Sequence, residues 1–568
     1  VLQNNGGDNL TVSANGSFAF STSVTSGGAY KVTVLTQPST PAQSCAVTSG
    51  SGTATANVTN VQVTCTTVTH TIGGTVVNLV GTNGGLQLQD NGSDTLNVNA
   101  NGAFTFATPV DDGSAYAVTI SMPPTNPAQD CEVTNGTGTA TANVTNVTVD
   151  CGHNEWTWMG GSNLTNQPGT YGTLGQPAPG NIPGARGSAM MWVDKSQNVW
   201  VFGGVASDDK LSNDLWKYSN GEWTWIGGPD HNGETNAELE GSYGMMGTPS
   251  SNNNPPGTRR GVTWTDSSGN FWLFGGQGYN PGGLDVMFNV LWEFSNGEWT
   301  WIGGSTAGNT TGTYPTMPGA RDGAASWIDS SGNVWVFGGS GFDSVGGGGE
   351  LNDLWEYSAG QWTWKGGSNL VNQKGSYGNL GVTVSTNMPG GRDQAMRWTD
   401  SSGNFWLFGG WGLDSTGTVG ELNDLWEYSN GEWTWMGGSD LVNQPASYGF
   451  EGVPSATNIP GGRDGGAVWT DTSGNVWLFG GETGAQTLAL NDFWKYSNGL
   501  WTWMGGTQLF DNLGSYGTLG TPDPSNFPGA RVNSVHWVDA QGNLWLFAGG
   551  DQGPSAAALG NDLWMYKP

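Results

Sequence analysis

Basic residues, histidine and cysteine are all scarce in this chain. Its 568 residues hold 16 Lys and Arg against 46 Asp and Glu, a formal net charge of −30, with 4 His and 4 Cys. Phosphate-backbone recognition rests on Lys and Arg, so nucleic acid is excluded as a partner, and an anionic membrane surface is disfavoured for the same reason. No run of 18 apolar residues could span a bilayer as a helix, and the first residues are not a charged-then-apolar leader. No third Cys or His stands at ligand spacing from a cysteine, which argues against a metal site. No G-x-S-x-G elbow is present to seat a serine nucleophile. Nothing in the sequence points to a cofactor.

What the chain does have is repetition. Residues 1–65 match 87–151 at an offset of 86: LTVSANGSFAFSTSV recurs as LNVNANGAFTFATPV, and SGTATANVTNVQVTC as TGTATANVTNVTVDC. Apolar and small polar residues alternate between Asn-Gly and Gly-Gly pairs, the period-2 pattern of strands joined by tight turns. Cys45 and Cys65, then Cys131 and Cys151, give each copy one pair, read as intramodule disulfides formed in an oxidising compartment. The second copy begins with an extra strand, Thr71–Val80 (TIGGTVVNLV), whose counterpart would precede residue 1. Two explanations are available. The chain is part of a longer one with more modules and a secretion signal upstream, or another subunit supplies the strand.

A longer period starts at His153. W-T-W-x-G-G recurs at Trp156, Trp223, Trp299, Trp362, Trp433 and Trp501; P-G-x-R recurs with Arg186, Arg259, Arg321, Arg392, Arg463 and Arg531. A hairpin W-x-D-x-x-G-N-x-W-[LV]-F-G-G follows each Arg, then N-D-L-W-x-Y, with Val290 and Phe294 as departures in the second copy. Six copies of four short β-type runs predict a β-propeller of six blades. The lone first W-T-W strand would complete the last blade. Thirty of the 31 Trp fall on fixed repeat positions and read as packing elements between blades; only Trp411 is out of register.

The paired Gly after an apolar strand, N-D-L-W-x-Y and the spaced Trp, as in FGGSGFDSVGGGGELNDLWEYSAGQWTW (337–364), resemble the kelch-repeat family. The two modules resemble bacterial Ig-like β-sandwich repeats of surface proteins. The expected fold is therefore all-β: an N-terminally incomplete Ig-like module over 1–66, a second over 67–152, and a six-bladed kelch propeller over 153–568. Kelch propellers serve enzymes, adhesive scaffolds and protein-binding modules alike, so the fold does not choose a function. A copper-radical oxidase on such a propeller would need a free Cys and clustered His. All four Cys lie in the modules, and His153, His231 and His536 hold unrelated positions.

Candidate sites follow from what the repeat leaves over. The six repeated Arg read as fold contacts to the Asp of N-D-L-W or to loop carbonyls, although the second repeat has Val290 there, so Arg259 must find another partner or stand free. Arg260 and Arg397 fall outside the repeated positions and read as surface binding candidates. The long connections after W-T-W carry Tyr171, Tyr243, Tyr377, Tyr448 and Tyr516, which either cap their own loops or form an aromatic ring for a ligand. Trp411 joins them as a binding candidate. Asp343 with Glu350, and Asp414 with Glu421, are carboxylates seven apart in glycine-rich loops that could take calcium. Sequons such as Asn57-Val-Thr59 and Asn143-Val-Thr145 would permit glycosylation.

The resulting expectation is a secreted or cell-surface bacterial scaffold without catalysis, its modules forming a stalk that presents the propeller to an extracellular protein or glycan. Two rivals stand beside it. One is a filament subunit self-associating through the incomplete first module, and the other a polysaccharide-active enzyme using two carboxyls that the sequence does not single out.

Overall fold

The computed structural model describes all residues except 81–84, 126–128, 231–238, 485–487 and 551–557, so His231 lies outside the described residues. Among the described residues every regular element is a β-strand. The chain divides into two compact units, Val1–Asn154 and Glu155–Pro568. The boundary falls two residues later than the sequence division at 153. The strand Val144–His153 carries His153 into the first unit, where its Nε2 lies 3.0 Å from Glu132 Oε2. Asn154 Nδ2 then donates to Asp130 Oδ2 at 2.9 Å.

Within the first unit, residues 67–154 form two four-stranded sheets. One runs in the order Asp94–Val98, Leu86–Asp90, Ser114–Met122, Thr137–Ala140, and the other Gly102–Thr105, Ile72–Val77, Val144–His153, Asp130–Thr134. Their inward positions, Ile72, Val76, Leu88, Phe104, Phe106, Val147 and Val149, form one apolar core. Residues 1–66 repeat the first sheet with Asp8–Leu10, Leu2–Asn4, Gly28–Val34 and Ser51–Ala54. Of the second sheet only Gln43–Thr48 and Gln62–Thr67 are present as strands, paired with each other. Cys45 bonds Cys65 across that pair, and Cys131 bonds Cys151.

The second unit repeats one four-stranded antiparallel plan. Sheet 1 runs Met190–Val193, Val199–Phe202, Leu215–Ser219, Glu222–Gly227; sheet 2 Val262–Thr265, Phe271–Phe274, Leu291–Ser295, Glu298–Gly303. Sheet 3 runs Ala325–Ile328, Val334–Phe342, Gly348–Ser358, Gln361–Gly366, and sheet 4 Met396–Thr399, Phe405–Leu413, Val419–Ser429, Glu432–Gly437. Sheet 5 runs Ala467–Thr470, Val476–Thr483, Leu488–Ser497, Leu500–Gly505. Sheet 6 joins Val535–Val538, Leu544–Gly549 and Gly560–Lys567 to Glu155–Gly160, with Trp156 opposite Tyr566 and Trp158 opposite Trp564.

Neighbouring sheets are bonded by aromatic side chains. The leading Trp of each W-T-W lies on the Phe of the preceding sheet's F-G-G or F-A-G-G run: Trp299 on Phe202, Trp362 on Phe274, Trp433 on Phe337, Trp501 on Phe408, Trp156 on Phe479, Trp223 on Phe547. The last contact joins sheet 1 back to sheet 6. Each such pair is worth about 0.5–1.5 kcal/mol beyond the area it buries. A single Trp per strand position therefore recurs because each sheet-to-sheet gap needs one ring of that size.

Candidate functional site

Ahead of each sheet's first strand one residue turns inward: Ser188, Arg260, Gly323, Gln394, Gly465 and Asn533. All six are left-handed, with φ between 51° and 63°, though only two are glycine. Their amides close a ring. Arg260 N–H donates to Ser188 O (3.1 Å), Gly323 to Arg260 (2.9 Å), Gln394 to Gly323 (2.8 Å), Gly465 to Gln394 (3.0 Å), Asn533 to Gly465 (2.8 Å) and Ser188 to Asn533 (3.0 Å). These bonds offset the cost of about 1–2 kcal/mol that a non-glycine residue meets in this conformation. The ring lines a channel of about 360 Å³, spanned by Asn533 Nδ2 donating to Gln394 Oε1 at 2.7 Å.

Behind the ring sit the repeated arginines. Arg392 donates from Nη1 and Nη2 to both oxygens of Asp424 (2.7 and 2.8 Å), and Tyr377 OH (2.7 Å) and Trp426 Nε1 (2.7 Å) donate to the same Oδ2. Arg186 with Asp214, Arg321 with Asp353, Arg463 with Asp492 and Arg531 with Asp562 repeat this. Tyr171, Tyr314, Tyr448 and Tyr516 donate to those carboxylates. Burial pushes the phenol of Tyr377 up, and the adjoining Asp424 pushes it further. The hydroxyls of Tyr171, Tyr377, Tyr448 and Tyr516 are thus turned onto the fold's own carboxylates, so these four do not form an aromatic ring offered to a ligand.

The second repeat departs from the rule in a way its motif conceals. Thr258, not Arg259, occupies the arginine position. Gly257 N–H donates to Leu239 O as Ala320 N–H does to Thr310 O, and Thr258 Oγ1 donates to Pro256 O as Arg321 Nε does to Gly319 O. The extra proline in Pro255-Pro256-Gly257-Thr258-Arg259-Arg260 slides the P-G-x-R match by one residue. Val290 fills the Asp position, and cation and anion are therefore lost together. Tyr243 OH and Trp292 Nε1 keep their places but have no hydrogen-bond partner among the described residues. Arg259, freed from the motif's role, donates to Gln277 Oε1 at 2.8 Å, and Arg260 becomes a ring member.

One side of the ring is strongly acidic. The residue before each ring member is Gly187, Arg259, Asp322, Asp393, Asp464 or Val532, and the three Asp are buried. Asp393 pairs in register with Trp411, and Trp411 with Glu421. Asp322 pairs with Ser340, Ser340 with Glu350, and Asp464 bridges to Glu482. Sheets 3 to 5 therefore supply six carboxyls and one half-buried indole, while sheet 2 supplies Arg259 and Arg260, whose Nη1 lies 4.0 Å from Asp322 Oδ2.

Burial, then like-charged neighbours, raises the affinity of these acids for protons. Glu350 is pushed up to about 8 by burial and Asp393, and Glu421 to about 8 by burial and Glu482. Burial pushes Asp393 up to about 7 against the pull of Arg260, and Asp464 is raised by burial and Glu421. With every acid ionised, Asp393 Oδ1, Asp464 Oδ1, Glu350 Oε2 and Glu421 Oε2 would lack a donor among the described residues; Ser340 bonds Glu350, and Glu421 and Asp464 bond each other once one of them holds a proton. Such a cluster must hold protons or meet a cation.

Several sequence expectations change here. Arg260 is half-buried and Arg397 exposed; both line the cavity, and Arg397 Nε donates to Ser326 O at 2.9 Å. The carboxylates seven apart do not converge on calcium. Asp343 accepts the amides of Val345 and Gly347 in its own turn, and Asp414 those of Thr416 and Thr418, whereas Glu350 and Glu421 belong to the acidic cluster. No group of metal-ligating side chains is found among the described residues. Asp322, Asp393, Asp464 and Glu482 were not singled out by sequence. Their signal is an Arg-Asp pair confined to three consecutive repeats.

Residues 173–365 match the model of the KLHDC2/KLHL20/DRC7 Kelch-repeats domain. That match lies wholly within the second unit. No curated protein matches the chain. A solved structure titled "Structure of YjhT" is similar at 14% identity and a TM-score of 0.40, covering 71% of this chain and 96% of that one.

Proposed function

We propose that this chain is a secreted or cell-surface bacterial binding scaffold in which two Ig-like modules carry a six-bladed kelch propeller, its last blade completed by Glu155–Gly160. The propeller binds, without catalysis, an extracellular protein at the acidic cluster of sheets 3 to 5, next to the amide ring. The observation that supports this is the cluster of buried carboxyls in which Asp393 and Glu421 pair in register with Trp411. A basic side chain entering there would satisfy several of them at once, and its charge would be attracted by the protein's net −30. The indole of Trp411 offers a face on which Lys or Arg can stack.

Calorimetry with a Lys/Arg-rich peptide tests the reading. Binding weakened at least tenfold by Trp411→Ala and by Glu421→Gln supports it. Equal binding by all three proteins, or binding of neutral glycans alone, overturns it. A second reading, a polysaccharide-active enzyme, draws on Glu350 and Glu421, whose carboxyls hold protons to about pH 8, as a general acid must near neutrality. Glycan hydrolysis abolished by Glu421→Gln, with folding intact, would select it.

A further inference from the structure

In a chain with 46 acidic and 16 basic side chains, the channel of the second unit inverts the balance: Arg260, Arg397 and His536 line it, and no Asp or Glu does. Three residues beyond each member of the amide ring, the first strands of the six sheets contribute Met191, Thr263, Ser326, Arg397, Val468 and His536 at equivalent pairing positions. Asp322, Asp393 and Asp464 come one residue before the ring, so in chain order this layer follows the ring and the acids precede it. Arg397 is the layer's one fixed charge. Its Nε donates to Ser326 O, while Nη1 and Nη2 have no partner among the described residues. The paired guanidinium of Arg392 is raised by Asp424; Arg397 has no carboxylate beside it and is lowered by removal from bulk water. His536 supplies the complement. Its Nδ1 lies 3.0 Å from Ser534 O; a carbonyl only accepts, so Nδ1 carries the hydrogen and Nε2 keeps a lone pair in the neutral ring. Burial pushes the imidazole down to about 4, and Arg397 adds to the effect, so the ring stays an acceptor near neutrality.

We propose that this layer is a site for inorganic phosphate, with Arg397 Nη1 and Nη2 donating to two of its oxygens and His536 Nε2 accepting from its P–OH. The planar fork of a guanidinium fits two oxygens of one oxyanion, and the Thr263 hydroxyl, on the same channel wall, can donate to a third. The acceptor sets the selectivity. Near neutrality every inorganic phosphate ion keeps at least one O–H, sulfate has none, and a phosphate monoester, with a second pKa of about 6, has mostly lost its own. Either of those anions would place a bare oxygen against the lone pair of Nε2. A channel of about 360 Å³, spanned at the ring by the bond from Asn533 to Gln394, suits a small ion. This inference does not rest on the acidic-cluster reading.

Calorimetry of the full chain with sodium phosphate at neutral pH and physiological salt tests it. One saturable site is expected, with sulfate and glycerol phosphate each binding at least tenfold more weakly. Arg397→Gln should weaken phosphate binding at least tenfold, the scale of a lost charged hydrogen bond, and Arg397→Lys, which keeps the charge without the fork, should weaken it less. His536→Phe, which keeps a ring against Trp469, should bring phosphate down to the level of sulfate and leave sulfate unchanged, a pattern that loss of structure would not produce. The melting transition of the second unit is followed for each variant. Absence of phosphate binding at millimolar concentration, or sulfate or glycerol phosphate binding as tightly as phosphate, would overturn the proposal without recourse to any variant. Unchanged phosphate binding by folded Arg397→Gln would do so as well.

Discussion

A buried guanidinium is tolerated only where its charge and its donors are met, and the second unit solves this five times with one carboxylate. Each carboxylate also receives a phenol and an indole, so removing it strands a cation and two further donors. Asp424→Ala should destabilise the second unit by about 3–5 kcal/mol, the cost of leaving one member of a buried pair alone, read from denaturant unfolding. The second repeat supplies the converse test. Thr258→Arg buries an unpaired cation, and Val290→Asp buries an unpaired anion that Tyr243 and Trp292 only partly meet. Either alone should be strongly destabilising, and the double variant should recover stability relative to both, giving a favourable coupling in a double-mutant cycle.

The clustered acids of sheets 3 to 5 carry a pH dependence of definite sign. Asp393, Glu350 and Glu421 bind protons more tightly folded than unfolded, so the folded chain holds more protons between about pH 4 and 8. Stability should therefore fall as pH rises through that window, and Glu421→Gln should flatten the slope in melts at pH 5 and pH 8. A basic partner favours the charged forms, so its binding should tighten over the same rise.

At the level of strands and hairpins, regular repetition is what made the fold legible. The turn aspartates show why so few residues carry so much information. Asp329 accepts the amides of Ser331 and Asn333, the Asn333 side chain and the Trp335 indole. One residue thus sets the turn and aims a Trp at the next sheet, so its recurrence announces the hairpin. The acidic cluster was opaque for the opposite reason. It is built from positions that differ between repeats, brought together only by pairings such as Asp393 with Trp411, while a one-residue slide in the second repeat placed Arg259 in a role that Thr258 holds. The two disulfides differ in exposure. Cys65 is exposed and Cys151 is fully buried. A thiol reductant should therefore open Cys45–Cys65 well before Cys131–Cys151, followed by timed alkylation and mass spectrometry.

For the molecule as a whole, the decisive pairing is that of Glu155–Gly160 with Gly560–Lys567. Trp156 is 2% exposed and touches Phe479, Phe493, Phe527 and Tyr566, so this strand bonds sheet 5 to sheet 6. Trp156→Ala should cost about 3–5 kcal/mol, the usual range for emptying a buried aromatic site, and should lower the second unit's melting transition while leaving that of the first unchanged. The pairing also has a mechanical consequence. Because the two strands are antiparallel and Glu155 lies opposite Lys567, tension applied between those two residues pulls on adjacent ends of one seam. Such a load peels the seam one hydrogen bond at a time instead of shearing all of them together, so under traction the domain yields first at its clasp.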